Sequence, residues 1–222
     1  MRRKPNVEAR RRELCDAAIE LLAQDGARGL THLRVDRRAG VADGTTSFYY
    51  QTRSALLRGA VDRVVSQDVA DFTAAMTAAK EAEDDQAETL LSRLASQAMR
   101  TGIEPERSRA RARFELMMIA ARDQELGAVF EGLMDTFRAI GEEAVAQVQP
   151  AGEPLDRELI REQAVAVINF LGGFLFRLAS GIAEIETADE LEAYLYAVIA
   201  GVAAEHPRLR SAGAAAKRSR RG

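Results

Sequence analysis

Residues that support enzyme chemistry are scarce in this chain. Its 222 residues include one Cys, two His and no Trp. A single Cys forms neither an internal disulfide nor a thiolate cage, and the two histidines, His32 and His206, leave no His-rich cluster for a metal. The phosphate-cradling GxxxxGK, the GxSxG elbow and the HExxH motif are also missing. We therefore expect no enzyme, no cofactor and no metal site, and we interpret Cys15 as a buried structural thiol rather than a redox sensor.

Patterns typical of strands and membrane spans are missing too. No alternating run of Val, Ile and Thr is flanked by hairpin turns, whereas Ala, Leu, Glu and Arg are abundant, which favours helices throughout. The most apolar run, residues 164–176, has 13 residues. A membrane helix needs roughly 17 to 25, so we predict a buried helix there. The N-terminus leads into an amphipathic segment, unlike a signal peptide. These patterns predict a cytoplasmic protein without a membrane partner.

Charge is divided unevenly along the chain, although the total is only −3. Residues 1–63 carry 13 Lys and Arg against 8 Asp and Glu, whereas residues 64–205 carry 12 against 26, a net charge of −14. The last 17 residues carry six basic residues and no acidic one. Cations at the N-terminus suit a DNA backbone. The N-terminal arm is either such a surface or a solvated leader; its basic residues are Arg2, Arg3, Lys4, Arg10, Arg11 and Arg12.

The segment 31–53 has the pattern of a helix-turn-helix. It follows an amphipathic helix whose apolar stripe ends near Gly26 and Gly29. Thr31 is placed to cap a second, short helix, and Gly40 is placed to end it in the left-handed conformation, with Val41 packing back across the turn. The apolar stripe of the first helix is Leu14, Ala17, Ala18, Leu21 and Leu22.

The third helix, predicted at 45–50, has two faces. Thr46 and Tyr50 lie together, and we assign them to packing against Leu56 and Leu57 of the next helix. Short hydroxyl side chains and a phenol on the outward face suit phosphate oxygens and base edges in a major groove. Arg53 adds a cation where a backbone phosphate would pass. The outward residues are Thr45, Phe48 and Tyr49.

The string GVADGTTSFYYQTRSALL resembles the signature of TetR-type transcriptional regulators. The resemblance covers roughly residues 8–65 and rests on the Gly-Val turn, the Gly-Thr pair, the aromatic cluster and the Arg before Ala-Leu-Leu. It implies an all-α fold of about nine helices. The DNA-binding domain would span 1–65, with its helix-turn-helix at about 31–50. A larger effector-binding and dimerisation domain would span 66–205, and we expect a basic, disordered tail at 206–222.

The resemblance also implies which residues meet DNA. Positions that in the family touch mostly the DNA backbone hold Thr31, Thr45, Ser47, Tyr49 and Arg53. Positions where base contacts can also arise hold Ala42, Asp43, Gly44, Thr46 and Phe48. Ser47 stands where the family often has Tyr, and Tyr49 where it often has His.

Two acidic residues depart from the expected pattern. Asp36 stands where a small buried Ala is common, and a carboxylate facing the core is costly unless it is partnered. Arg37, Arg38 or the helix rim are candidate partners. Asp43 either caps the third helix or accepts a hydrogen bond from cytosine N4, and we favour the cap.

The body is predicted to contain six further helices. The first runs from 53 to about 80, and the others are at about 86–101, 105–121, 124–148, 156–184 and 187–204. The last two carry long apolar stripes that either close the monomer core or pair with a second copy, as the resemblance implies. We favour pairing, which implies a homodimer and a near-palindromic operator. The predicted interface is Ile168, Leu171, Gly172, Leu175, Leu178, Leu191, Leu195, Val198 and Ile199.

The middle helices are predicted to enclose an effector pocket. Met and aromatic residues at helical spacing are also typical of plain core. Arg113 could recognise a charged ligand, but together with Arg107, Arg109 and Arg111 we assign it to a solvated face. Asn169, an amide in the most apolar helix, favours a pocket because buried amides need partners. The predicted lining is Arg113, Phe114, Met117, Met118, Phe130, Met134, Phe137, Asn169, Phe170 and Phe174.

These patterns together predict a homodimeric DNA-binding regulator. The resemblance implies a repressor that a small apolar or amphipathic effector releases from operator DNA. An effector-independent DNA-binding protein is the first alternative, and an all-helical enzyme or lipid carrier is the second.

Overall fold

A computed structural model describes residues 7–81, 89–150, 154–182 and 184–219; the side chains of 75–81 and 209–219 are not described. Over these residues the chain forms nine α-helices and no strand, which confirms the all-α prediction. The helices are α1 Val7–Gly29, α2 His32–Arg38, α3 Thr45–Tyr49, α4 Arg53–Glu81, α5 Leu90–Arg100, α6 Glu106–Ala120, α7 Gln124–Gln147, α8 Arg157–Ala179 and α9 Ala188–Ser219.

The N-terminal helices form a head whose core continues into the body. Leu14, Val35 and Leu56 come from α1, α2 and α4 and are fully buried in one cluster. The same cluster includes Leu116 of α6 and Leu126 of α7. The body helix α6 thus packs directly on α1 of the head.

A second core lies between α5, α7, α8 and α9. Leu91, Val145, Val167 and Leu195 are fully buried there, one from each helix. By length and composition alone, α8 is the one helix among the described residues that is apolar enough to cross a membrane. In the fold, one face of α8 packs against α6, α7 and α9, and the opposite face is exposed.

The last helix is longer than predicted. We expected disorder from His206 onward, but α9 continues through Pro207 to Ser219. Its sequence there is rich in Ala, the best helix former. The half-buried His206 also ties α9 to α8, with Nδ1 2.7 Å from a carboxylate oxygen of Glu162 and Nε2 3.6 Å from one of Asp156. The final part of the predicted tail, 220–222, lies outside the described residues.

Candidate functional site

The turn of the predicted helix-turn-helix forms as its sequence indicates. Thr31 caps α2, because its hydroxyl accepts from the backbone N–H of Arg34 at 3.3 Å. Gly40 has a φ of +65°, the left-handed conformation that glycine adopts without steric cost. Val41 then donates its N–H to the Asp36 carbonyl at 3.0 Å and packs against the head core. The turn therefore sets the orientation of α3 relative to α2.

Asp36 holds the start of α3 from inside the head. Its side chain belongs to a residue that is 1% exposed, and it accepts from the N–H of Gly44 at 2.8 Å and the N–H of Thr46 at 2.7 Å. The Thr46 hydroxyl donates a third bond, at 2.5 Å. Burial alone would raise the pKa of Asp36, but these hydrogen bonds outweigh it and hold the pKa below its ordinary value.

Two predictions about acidic residues are therefore wrong. The partners of Asp36 are backbone amides and a hydroxyl rather than arginines, since Arg38 pairs with Glu20 and Gln24 of α1. Asp43 does not cap α3. The cap position is Gly44, which makes no side-chain cap, and Asp43 is exposed. The cap is supplied from α2, eight to ten residues earlier in the chain.

The two faces of α3 separate as the helical spacing predicts. Phe48 is 79% exposed, whereas Thr46 is fully buried and Tyr50 nearly so. Thr46 is thus excluded from the predicted DNA-contacting set, because its hydroxyl and its N–H are both held by Asp36. Tyr49 and Thr45 are half-buried, and the Tyr49 ring meets Phe48 edge-on. The remaining predicted contact residues, all exposed, are Thr31, Ala42, Asp43, Gly44, Ser47, Phe48 and Arg53.

Arg53 is exposed but is also engaged at the end of α1. Its guanidinium donates to the carbonyls of Ala27 at 2.6 Å and Leu30 at 3.5 Å. In the N-terminal arm, Arg10 pairs with Glu13, while Arg12 is exposed. Arg2, Arg3 and Lys4 of the predicted basic surface lie outside the described residues.

Cys15 is buried beside the phenol of Tyr50, with Sγ 3.0 Å from the hydroxyl oxygen. Burial raises the pKa of the Cys15 thiol, and burial together with Cys15 also raises the pKa of Tyr50. A protonated, buried thiol is a poor nucleophile. These observations support a structural role for Cys15, in which its side chain packs in the head core against Tyr50 at the end of α3.

A cavity of about 380 Å³ lies in the body between α4, α5, α6, α7 and α8. Its volume is in the range of small-molecule sites. Six of the predicted lining residues border it: Arg113, Phe114, Met117, Met134, Phe137 and Asn169. Four do not. Met118 is 63% exposed on the outer side of α6, Phe130 and Phe174 are buried in the two cores, and Phe170 stacks with Tyr194 of α9.

The two predicted polar residues of the cavity wall have different surroundings from those expected. Asn169 is exposed and donates to the Val165 carbonyl of its own helix, so it is not a buried amide in need of a partner. Arg113 does not belong to a solvated face. Its side chain is 12% exposed and donates to the Asp68 carboxylate at 2.8 Å.

Asp68 belongs to a partly buried ion network that the sequence patterns did not predict. The network joins Asp68 and Asp71 of α4 to Arg109 and Arg113 of α6, and Arg109 contacts both aspartates. A signal for it was present in the sequence. The apolar stripe of α4 runs through Val61 and Val64, and Asp68 occupies the next inward position, where an apolar residue is expected.

Most of the predicted dimer interface is part of the monomer core. Leu178, Leu191, Leu195 and Ile199 are at most 8% exposed within one chain, and half-buried Val198 packs against them. Leucine and isoleucine side chains directed inward cannot face a second copy. Ile168, Leu171 and Leu175 instead border the cavity, as does exposed Gly172. Among the described side chains of α8 and α9, the large apolar residues that are exposed are Val165, Phe176, Tyr194 and Tyr196.

Comparisons place this architecture among known proteins. The sequence matches no family model and no curated protein. Solved structures do match. A TetR-family regulator from Rhodococcus sp. is 22% identical over 87% of this chain and 98% of its own, with a TM-score of 0.63. The chain has the TetR-type fold.

Other structures with the TetR-type fold match over similar lengths. A TetR-family member from Streptomyces coelicolor A3 is 21% identical, covering 85% of this chain and 97% of its own, with a TM-score of 0.62. The multidrug binding protein EbrR, complexed with ethidium, is 20% identical over 88% of this chain and 99% of its own, with a TM-score of 0.58.

Among the described residues, no three His, Cys, Asp or Glu side chains are grouped to hold a metal ion.

Proposed function

We propose that this protein is a DNA-binding transcriptional regulator, most simply a repressor. The observation that carries the proposal is the presentation of α3. Asp36 fixes its buried face through Thr46, which leaves Ser47 and Phe48 exposed on a head with a net charge of +5 over residues 1–63. A rigid short helix with exposed hydroxyl and apolar groups suits the major groove, and surrounding cations suit the phosphates.

The cavity is the proposed effector site. Because α4 begins in the head and also contributes Asp68 and Phe72 to the cavity wall, a ligand can bias the position of the head directly. A ligand shifts that equilibrium only by the difference in its affinity for the two arrangements. In the proposed mechanism, the effector favours an arrangement of α4 in which the two heads of a dimer no longer match adjacent major grooves.

A homodimer is the proposed assembly, through the exposed sides of α8 and α9 rather than through the predicted residues that are buried within one chain. Val165 and Phe176 of α8 and Tyr194 of α9 are 45 to 54% exposed, although all three are large and apolar. Pairing this face in two copies would bury it. Two copies of α3 then read half-sites one helical turn, about 34–36 Å, apart on a near-palindromic operator.

Similarity to known regulators also supports the proposal. EbrR is described as a multidrug binding protein, and the other solved structures of this fold named above are described as TetR-family proteins. On this basis we propose a cytoplasmic regulator that has no enzymatic activity and uses no cofactor.

Selection of bound fragments from a genomic DNA library tests the proposal. The full-length protein should enrich a near-palindromic sequence and shift it in a mobility assay at physiological salt. Equal, weak binding to any duplex would contradict the regulator. Specific binding that no ligand weakens would favour the effector-independent alternative, and ligand binding without any DNA binding would favour a carrier or enzyme.

A further inference from the structure

The charged residues that α6 contributes to the cavity wall occupy one part of that helix. Glu106, Arg109 and Arg113 border the cavity in the first two turns, and Phe114 and Met117 border it in the following turns. The helix therefore presents a polar half and an apolar half to the same cavity. A molecule that fills the cavity therefore contacts both the polar and the apolar half of α6.

Four of the five charged groups in the wall neutralise one another. Arg113 and Arg109 contact Asp68, and Arg109 also contacts Asp71, so two guanidinium groups match two carboxylates. The side chain of Asp68 is 5% exposed and is fully committed to its arginines. These four groups carry no net charge that a ligand would need to balance.

Glu106 is the fifth group, and its charge is poorly compensated. Within the described part of the chain, its one ion pair is with Arg100 at 3.8 Å, and the Arg100 side chain is 67% exposed while that of Glu106 is 24% exposed. Such a long, solvated pair contributes little. The cavity wall thus carries a surplus negative charge on a half-buried carboxylate.

Two further features favour a positive charge in the cavity. Aromatic rings line it, including Phe72, Phe114 and Phe137, and the guanidinium of Arg113 already lies 5.5 Å from the centre of the Phe114 ring, a cation–π contact. The surrounding body, residues 64–205, has a net charge of −14. A field of this sign concentrates cations near the cavity and repels anions.

We propose that the effector is a lipophilic organic cation. Its apolar groups contact the phenylalanine and methionine side chains, and its charge is balanced by the Glu106 carboxylate. This inference rests on the proposed function, because it assigns a chemical class to the ligand of the proposed effector site.

Tetraphenylphosphonium and tetraphenylborate test the sign of the charge, because they are similar in size and shape and carry opposite charges. Each ion is titrated into the full-length protein, with binding measured by calorimetry and by the shift in melting temperature. The phosphonium should bind at least about tenfold more tightly. Equal or tighter binding of the borate would overturn the inference and leave an effector site of another preference intact. Binding of neither ion would also overturn the inference, because a site for lipophilic cations should accept the phosphonium.

Glu106→Gln tests the assigned carboxylate. It should weaken phosphonium binding by roughly three- to tenfold, the effect of one partly solvated ion pair, and leave borate binding equal or improved. Glu131→Gln is the matched control, since it removes the same charge from an exposed position of α7 outside the cavity wall. An equal loss in both variants would overturn the role of Glu106, because only the overall field would then matter.

Discussion

Asp36 and Thr46 join α2 to α3 through two hydrogen bonds to a single carboxylate oxygen. Oδ1 of Asp36 accepts from the Thr46 N–H at 2.7 Å and from its hydroxyl at 2.5 Å, and both residues are buried. Oδ2 accepts from Gly44 at the start of the helix. The orientation of the proposed recognition helix therefore depends on a negative charge inside the head.

Asp36→Ala should destabilise the protein by about 2 kcal/mol or more, because it leaves buried N–H donors without an acceptor. Asp36→Asn should cost about 1–3 kcal/mol, since the amide is a weaker acceptor and introduces a donor. Asp43→Asn is the control. This exposed acid makes no cap, and its change should stay within about 0.5 kcal/mol. Urea denaturation at pH 7 measures all three, and a neutral Asp36→Asn would contradict the assigned role.

The same carboxylate predicts a dependence of stability on pH. The folded-state pKa of Asp36 lies below its unfolded value, so its contribution is fully present above the unfolded pKa of about 3.9 and is lost as pH falls through the folded pKa. Between pH 6 and pH 3, the wild type should therefore lose more stability than Asp36→Asn does. Denaturation midpoints across this range provide the comparison, and parallel losses in the two proteins would contradict it.

The head could be read from sequence because its signals are local. Helical spacing separates Thr46 and Tyr50 from Phe48, and the conformational freedom of glycine identifies the turn at Gly40. The hydrogen-bond partners of Asp36 could not be predicted in this way. The carboxylate oxygens of Asp36 accept hydrogen bonds from backbone amides, and only the folded turn brings these amides within reach.

The body was less predictable because several of its helices are apolar or charged on more than one face. Periodicity identified the stripes of α8 and α9 but not which face turns inward, since Val165 and Phe176 of the opposite face are apolar as well. The spacing of the arginines did not identify their partner, because it is also typical of a solvated face. Arg109 and Arg113 are four residues apart on one face of α6, opposite Asp68 of α4.

Phe48→Ala should separate DNA binding from folding. Phe48 is 79% exposed, so its loss should change the free energy of unfolding by less than about 0.5 kcal/mol. If α3 enters the major groove, operator affinity should fall by roughly tenfold, the cost of one base-edge contact. Met118→Ala, at a 63% exposed position on the body, is the matched control and should alter neither property. Unchanged operator affinity in Phe48→Ala would show that this face of α3 does not meet DNA.

Asp68→Ala should be strongly destabilising, by about 3–5 kcal/mol, because it strands the buried guanidinium of Arg113. Asp135→Ala breaks an exposed pair with Arg138 and should cost less than about 1 kcal/mol. The double variant Asp68→Leu with Arg113→Met removes both charges and should recover most of the loss. Urea denaturation of the four proteins measures this, and a double variant that is no more stable than Asp68→Ala would contradict coupling between Asp68 and Arg113.

Gly201→Arg tests the proposed dimer face without disturbing the monomer. Gly201 lies on the exposed side of α9, seven residues after Tyr194, and a Cβ built there meets no atom within 4 Å. An arginine should therefore fit the monomer, whose helical circular dichroism should be unchanged. In a paired interface it would place a charge against an apolar surface, which costs several kcal/mol and should shift the sedimentation of the protein from dimer to monomer.

Since a single α3 reads only one half-site, the operator affinity of Gly201→Arg should fall at least a hundredfold, and a half-site duplex should be bound as tightly as by the wild type. Gly132→Arg, at an equally open and exposed position of α7, should remain dimeric. If Gly201→Arg also sediments as a dimer, the interface lies elsewhere on the body.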